Sequence, residues 1–194
     1  MKTIIHVVQH LQPGGIETMV LELLRYADAN HRIVIVSLEG KRELAIENWP
    51  RLRKYANDLV FLDKPAGWRL GYIRKLARLL RCYEPAAVHT HHIGPMIYGG
   101  LAARLAGVHR LVHTEHDAWH LQSRKRRWLQ ALAMRLVRPV IIADAEFVKK
   151  SLFHYFPGID VEVVLNGIDS DYFQPGCKQT ARRNLGLPDE AILL

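Results

Sequence analysis

Residues 3–9 make a short, nearly continuous apolar run, whereas Ile16, Met19, Val20, Leu23, Leu24 and Ala27 recur at helical spacing. Between them lies the turn Gln12-Pro13-Gly14-Gly15. The opening unit is therefore strand, glycine turn, amphipathic helix. Strand-sized apolar runs return at Arg32 to Leu38, Leu59 to Leu62, Ala86 to Thr90, Arg110 to Thr114, Val140 to Ala143 and Val161 to Leu165. Helical patterns separate most of them. These are Leu70, Ile73, Leu76, Ala77 and Leu80; Met96, Ile97, Leu101 and Leu105, closed by Gly107; Trp128 to Val137; and Phe147 to Tyr155. Val/Ile/Leu runs alternating with crossover-length helices bury both faces of every strand only in a parallel sheet covered on two sides. The pattern predicts an α/β fold, a Rossmann-like doubly wound parallel sheet. Residues 39–58 are the least regular. Trp49-Pro50 breaks any long helix there, and short helical turns over a sheet edge are expected.

The same pattern divides the chain into a sheet domain, 1–169, and a tail, 170–194. Ser170 to Lys178 carries Pro175-Gly176 and little periodicity, as a linker does, and Ala181 to Leu187 reads as a short helix. Ala191-Ile192-Leu193-Leu194 then looks like a buried strand that begins and stops. A buried-type strand with no partner downstream is inconsistent with the rest, so the chain is expected to be the first half of a longer protein. A frayed tail or a strand added to this domain's own edge is the competing reading.

The 194 residues are 49% hydrophobic and 24% charged, which excludes disordered, collagenous and coiled-coil classes. Lysine and arginine exceed aspartate and glutamate by 27 − 19 = 8. That surplus favours acidic partners, such as phosphates, nucleotides, nucleic acid or anionic lipid, without choosing among them. Cys82 and Cys177 are far apart, so neither a disulfide framework nor a zinc-type pair is present, which fits two inert thiols in a reducing cytoplasm. The apolar run within Met1 to His10 is too short and interrupted for a secretory signal. No stretch of about 18 apolar residues occurs, so any membrane contact is expected to be peripheral.

Ligands of open parallel sheets bind outside the carboxyl ends of the strands. The first candidate there is Gly14 and Gly15. Without Cβ atoms their amides can approach an anion, and the helix start adds partial positive charge, which suits a pyrophosphate. The pair matches neither GxGxxG nor GxxxxGK, and a plain tight turn is the alternative. Two further candidates are His89-Thr90-His91-His92 and His113-Thr114-Glu115-His116-Asp117, each at the end of a strand. Alternation puts His89 and His91 on one side and Thr90 on the other. A metal site built from His91, His92, His116 and Asp117 fits no familiar spacing, and no metal is expected. Recognition of hydroxyls or phosphates by neutral imidazoles is the stronger reading, because each ring donates from one nitrogen and accepts at the other. His91 and His116 are singled out, while His89 and His113, inside their strands, are expected to be satisfied by backbone.

The last candidate is a basic segment, Arg124, Lys125, Arg126 and Arg127, followed by Arg135 and Arg138, with Trp119, Trp128 and Leu129 nearby. Four cations crowd a predicted helix start, where the macrodipole disfavours them. Two readings remain: contact with an anionic membrane surface, or a solvated face over a helix packed on the sheet. Nucleic acid is not expected as a partner, since the run carries no recognised motif.

The sequence resembles the amino-terminal half of family 4 glycosyltransferases, enzymes of the GT-B type with two Rossmann-like domains facing across a cleft. The matching stretches are His10-Leu11-Gln12-Pro13-Gly14-Gly15-Ile16-Glu17-Thr18, Val88-His89-Thr90-His91-His92 with Gly94, and Val112-His113-Thr114-Glu115-His116-Asp117. Further on come Ala145-Glu146-Phe147-Val148-Lys149-Lys150, Val164-Leu165-Asn166-Gly167-Ile168-Asp169 with Phe173 and Pro175, and Arg183-Asn184-Leu185-Gly186-Leu187-Pro188. Ala145 departs from the serine common at its position in the family, which leaves that position without an expected role.

The resemblance implies transfer of a sugar, of hexosyl type and with retention, from a nucleotide diphosphate sugar to a glycan or lipid-linked acceptor. The nucleotide sugar is a co-substrate, and neither a cofactor nor a metal is implied. Gly14 and Gly15 would approach the donor phosphates, His91 would act as the catalytic residue against the transferred sugar, and His116 with Asp117 would line the acceptor side. The carboxy-terminal, donor-binding domain is absent, so this chain alone is expected to bind donor poorly and to turn over essentially none. The expected location is cytoplasmic, peripheral at the inner membrane face. A nucleotide- or phosphate-binding module without catalysis is the alternative.

Overall fold

The computed structural model describes residues 1–188 and 190–192. The elements run β1 (Lys2–Val8), α1 (Gly15–Arg25), β2 (His31–Ser37), α2 (Arg42–Asn48), β3 (Leu59–Phe61) and α3 (Gly71–Tyr83). Next come β4 (Ala87–His91), α4 (Ile93–Pro95), α5 (Leu101–Ala106), β5 (Leu111–Glu115), α6 (Arg124–Val137), β6 (Val140–Ala143), α7 (Glu146–Tyr155), β7 (Glu162–Val163) and α8 (Lys178–Asn184). Short 3₁₀ segments cover Pro50–Asp58 and Trp119–Gln122. The seven strands pair in the order β3-β2-β1-β4-β5-β6-β7, and every pairing is parallel. This is the Rossmann-like arrangement the apolar pattern predicts. The order reverses between β1 and β4, so crossovers on either side diverge there and open a crevice at the carboxyl edge.

Alternation along the strands builds two cores. Ile5 and Val7 with Val34 and Val36 meet Ile73, Leu76 and Leu80 of α3 and Ala102 and Ala103 of α5. On the other face Val8, Ile33 and Ile35 meet Val20 and Leu21 of α1 and Leu52 and Tyr55 of the 3₁₀ segment. Trp49-Pro50 acts as expected: α2 stops at Asn48, and Pro50 opens a separate 3₁₀ turn over the sheet edge.

Several boundaries differ from the sequence expectation, each for a local reason. The helix expected from Met96 to Leu105 is interrupted by a π-helical segment, Met96–Gly100, between α4 and α5. There the chain lies close to its neighbours: a Cβ on Gly99 would stand 3.0 Å from Thr90 Cγ2, and one on Gly100 would stand 2.5 Å from Val137 Cγ1. Helix α6 begins at Arg124 rather than Trp128, because lysine and arginine are good helix formers and the Arg127 amide already bonds the Ser123 carbonyl at 3.0 Å. Strand β7 shrinks to two residues, which pair with Ile142 and Ala143 at the end of β6, and the Val164 amide makes the last bond, to the Ala143 carbonyl at 3.0 Å.

Helix α8 lies a turn earlier than the expected Ala181 to Leu187. Of the strand expected at Ala191 to Leu194, Ala191 and Ile192 carry no strand pairing, and Leu193 and Leu194 lie outside the described residues. Both cysteines are free and exposed. Among the described residues no helix is long and apolar enough to cross a membrane.

The contact between Gly100 and the buried Val137 gives a direct test of the packing. Overpacking there should outweigh the helix propensity gained, so Gly100→Ala is expected to lower stability by about 1–2 kcal/mol in chemical denaturation. An unchanged or raised unfolding free energy would refute this close approach.

Candidate functional site

Gly14 stands extended (φ −166°, ψ 167°) as the residue before α1, and the Thr18 amide bonds its carbonyl at 3.0 Å to start the helix. A Cβ on Gly14 would meet the tip of the Glu17 carboxylate, which folds back against this position and would have to swing aside. Glu17 also lies 3.3 Å from His10 Nδ1. Nothing in the chain lies within 4 Å of a Cβ built on Gly15. Both glycines line a cavity of about 710 Å³ together with Arg51 and Lys54 of the 3₁₀ segment and Asn166 and Asp169 from beyond β7. That size suits a small-molecule ligand. Asp169 is itself buried, ion-paired with Arg25 and bonded by the Asp171 and Tyr172 amides at 3.1 Å. It therefore closes one wall.

Next to this cavity the strand ends bring together a chain of imidazoles. His6 on β1 is the register partner of His89 on β4, and their ring centroids lie 4.8 Å apart. His89 and His91 do share one side, with centroids 4.3 Å apart, while Thr90 turns the other way to His113. His91 is 1% exposed, and both of its nitrogens are engaged: Nε2 lies 3.0 Å from His6 Nδ1 and Nδ1 lies 3.1 Å from His116 Nε2. His116 Nδ1 reaches Asp144 Oδ2 at 3.1 Å, and Asn166 Nδ2 donates to the same oxygen at 3.1 Å. Since Asn166 also lines the glycine cavity, that cavity and the imidazoles are joined through Asp144. Burial pushes the His6 imidazole down to about 4 and holds His89 and His91 well below their ordinary value, so all three are neutral near pH 7. His116 is also lowered by burial, against the opposing pull of Asp144.

A second polar cluster flanks the first. His113 bonds Thr90 Oγ1 at 3.0 Å and Glu115 Oε2 at 3.3 Å, while Gln130 of α6 donates to Glu115 Oε2 at 2.6 Å. Burial pushes the Glu115 carboxyl up, but His113 and His92 outweigh it and hold the group below the usual carboxylate range. Glu115 Oε1 meets only His92 Nδ1, at 3.5 Å, too long for a good hydrogen bond. Burial pushes His92 down, but Glu115, Asp117 and Glu17 together raise it. His92 also adopts φ 68°, ψ 163°, a region that disfavours any side chain, between β4 and α4. That residue stands at the strand end bordering the crevice.

The residues singled out from sequence thus fall in two adjoining groups. Gly14 and Gly15 line the cavity; His91 and His116 form the imidazole chain beside it. His91 is buried behind His116 rather than open to the crevice, whereas Asp117 is half-buried and sits 3.8 Å from His92 Nε2 and 3.5 Å from His120 Nδ1. His89 and His113 are satisfied within the strands, but by side chains: His89 Nε2 lies 2.7 Å from Thr114 Oγ1. Sequence reasoning did not single out His6, Asp144 or Asn166. The strand-end rule that flagged His91 could have found Asp144, which follows β6 directly. His6 lies in mid-strand and became visible only through its register with His89. Arg124, Lys125 and Arg126 are exposed on the first turn of α6, the crossover that leaves the same edge of the sheet, and Arg127 lies over the Tyr155 ring.

The family model for Glycosyltransferase Family 4 matches residues 13–172. A curated UDP-Gal:alpha-D-GlcNAc-diphosphoundecaprenol alpha-1,3-galactosyltransferase from Escherichia coli is 34% identical over 110 residues, covering 52% of this chain and 28% of that protein. Anabaena HepE, solved with UDP and glucose, superposes with a TM-score of 0.73 at 17% identity over 96% of this chain and 50% of that one. A glycosyltransferase from Rickettsia africae gives 0.70 at 20% identity, with the same coverage. These two likenesses concern the fold. The chain spans about half the length of those solved structures.

The buried neutral imidazoles make stability depend on pH with a definite sign. His6 takes up a proton near 6.5 when unfolded and only near 4 when folded, so the unfolded state binds more protons between those values. The contribution of His6 is therefore complete above pH 6.5 and lost as pH falls toward 4, with His89 and His91 adding in the same direction and the raised His92 opposing them. From pH 7.5 to 5 the unfolding free energy measured in urea should drop by about 2 kcal/mol from His6 alone. A flat profile across that range would show that these rings are not buried as neutral groups.

Proposed function

Because the chain belongs to glycosyltransferase family 4, we propose that it forms the acceptor-side half of an enzyme that transfers a hexosyl unit from a nucleotide diphosphate sugar to a glycan or lipid-linked acceptor. The observation that carries the proposal is the adjacency of the glycine-lined cavity and the imidazole chain, joined through Asn166 and Asp144. In this reading the bond between the anomeric carbon and the diphosphate breaks, the nucleoside diphosphate leaves with the electron pair, and an acceptor hydroxyl oxygen forms the new bond while its proton passes to the departing diphosphate. Gly14 and Gly15 amides at the start of α1 would face the charge that develops on the leaving group. A donor preorganised in that way is worth on the order of 3 kcal/mol in the transition state. Glu17 would have to give way to the phosphates, since its carboxylate now rests against Gly14.

His91 and His116 are proposed to recognise hydroxyls of the transferred sugar. A hydroxyl both donates and accepts, so it can enter the His91–His116 hydrogen bond without leaving either ring nitrogen unpaired. Asp117, half-buried beside them, would border the acceptor. A nucleotide sugar donor is supported by the relatives, one solved with UDP and glucose and one named for UDP-Gal. Retention belongs to the same proposal: an alpha linkage made from an alpha-linked donor is retention, and the Escherichia coli relative is named for an alpha-1,3 linkage. No cofactor or metal is called for in this scheme.

An anionic membrane surface is proposed as the platform for the acceptor, with the enzyme cytoplasmic and peripheral at the inner face. Support comes from α6. Its buried side is Gln130, Ala133 and Val137, whereas Trp128, Leu132 and Leu136 form an exposed stripe one turn apart, beginning beside Arg124 and Lys125. Apolar side chains able to enter an interface, led by cations near the headgroups, suit a lipid surface.

Two outcomes test this reading. The full-length protein, screened with nucleotide sugars, should release nucleotide only when an acceptor is supplied, and His91→Ala and His116→Ala should each lower kcat/KM roughly tenfold to a hundredfold. The 194-residue chain alone should release essentially none. No release with any donor would end the transferase reading. In flotation with anionic vesicles at low salt the full-length protein should rise with the lipid, and charge reversal at Arg124, Lys125 and Arg126 should weaken association by at least about 3 kcal/mol, roughly a hundredfold. Equal flotation of wild type and variant would remove the membrane platform.

A further inference from the structure

We propose that Asp144 is a positioning residue: through a directed relay of hydrogen bonds it fixes which ring nitrogen carries the proton in His116, His91 and His6. The inference deepens the reading of this site as one for sugar hydroxyls and rests on it for its functional meaning. A carboxylate only accepts hydrogen bonds, so the Asp144 Oδ2 contact requires the proton of His116 to be on Nδ1. Neutral His116 then has a bare lone pair on Nε2, and the His91 nitrogen 3.1 Å away, Nδ1, must donate to it. His91 Nε2 is left bare in turn, and His6 Nδ1, 3.0 Å away, must donate. One acceptor at the end of β6 thereby orders rings that belong to β1, β4 and the loop after β5.

Among the described residues nothing beside the relay imposes the opposite order. The ring of His89 bonds the Thr114 hydroxyl, which can donate or accept and so accommodates either tautomer. Asn166 donates to the same carboxylate oxygen as His116, which keeps that oxygen an acceptor and ties it to the glycine cavity. The reverse order would point the bare His116 Nδ1 at a carboxylate, lone pair against lone pair. Burial keeps His91 and His6 uncharged, and a relay with one direction needs this, because an imidazolium donates from both nitrogens.

The consequence lies at the junction of His91 and His116. There a donor, His91 Nδ1–H, faces an acceptor, His116 Nε2, with a polarity set from Asp144. A sugar hydroxyl entering that junction finds its oxygen met by one ring and its proton taken by the other. Asp144 touches no substrate in this scheme. It acts through His116.

The test reads tautomers directly. With histidine labelled by ¹⁵N in the full chain, long-range ¹H–¹⁵N spectra at pH 7.5 are expected to report His116, His91 and His6 all protonated at Nδ1. In Asp144→Ala the acceptor is gone, and the usual preference of histidine for the Nε2–H form should move His116, His91 and with them His6 to that form while backbone amide spectra stay native. Any of the three rings found as Nε2–H in the wild type overturns the proposal, and that measurement stands even if the variant does not fold. So does a folded Asp144→Ala with unchanged ring resonances. Failure of the transferase reading would appear instead in the donor screen and would leave these resonances as described.

Discussion

Polar rings taken out of water must find partners inside the protein, and in this fold that demand is met by a line of imidazoles ending on one carboxylate. His6, His91 and His116 each satisfy the next, and Asp144 satisfies the last. An unpaired buried polar group costs about 1–3 kcal/mol, a large fraction of ordinary protein stability. The rings therefore have little freedom to rearrange one at a time. Their geometry links the middle of β1 to the edge of the crevice, so the sheet's own register becomes part of the site.

The sheet supplies the frame. The reversal of strand order between β1 and β4 separates the crossovers, and the loops after β1, β4, β5 and β6 meet at one edge. Close approach is needed to keep that edge in place. The π-helical turn after β4 carries Gly99 and Gly100 against Thr90 and Val137, and Gly94 is where a side chain would strike Gln9 of the loop after β1. Small residues at these points let the loop after β4 settle beside β1, and the strained backbone of His92 lies at the turn between strand and helix.

Helix α6 joins the frame to the surface. Gln130 reaches inward to the buried Glu115, while the opposite side shows Trp128, Leu132 and Leu136 to solvent. The first turn of α6 follows from the same edge that holds Asp117 and His92. One helix thus makes a polar contact with the interior and carries an apolar stripe outside.

Much of this was legible in the amino-acid pattern. All seven strands, the glycine turn before α1 and the break at Trp49-Pro50 were readable because they depend on local periodicity and on the special backbone of glycine and proline. Alternation correctly put His89 and His91 on one side of β4. The π-helical turn was not legible, since it answers to neighbours far along the chain, and neither was the length of β7, which pairs only with the end of β6.

The amino-acid order by itself determined the parallel sheet and which residues stand at its carboxyl edge, because a side chain's alternation and a turn's backbone need no distant partner. Tertiary structure alone decided that His91 is enclosed rather than open, that His6 and Asp144 bracket the chain, and that the outer face of α6 stays bare. Those outcomes depend on which atoms come within about 3 Å across different strands, a hydrogen-bond distance that no spacing along one segment encodes.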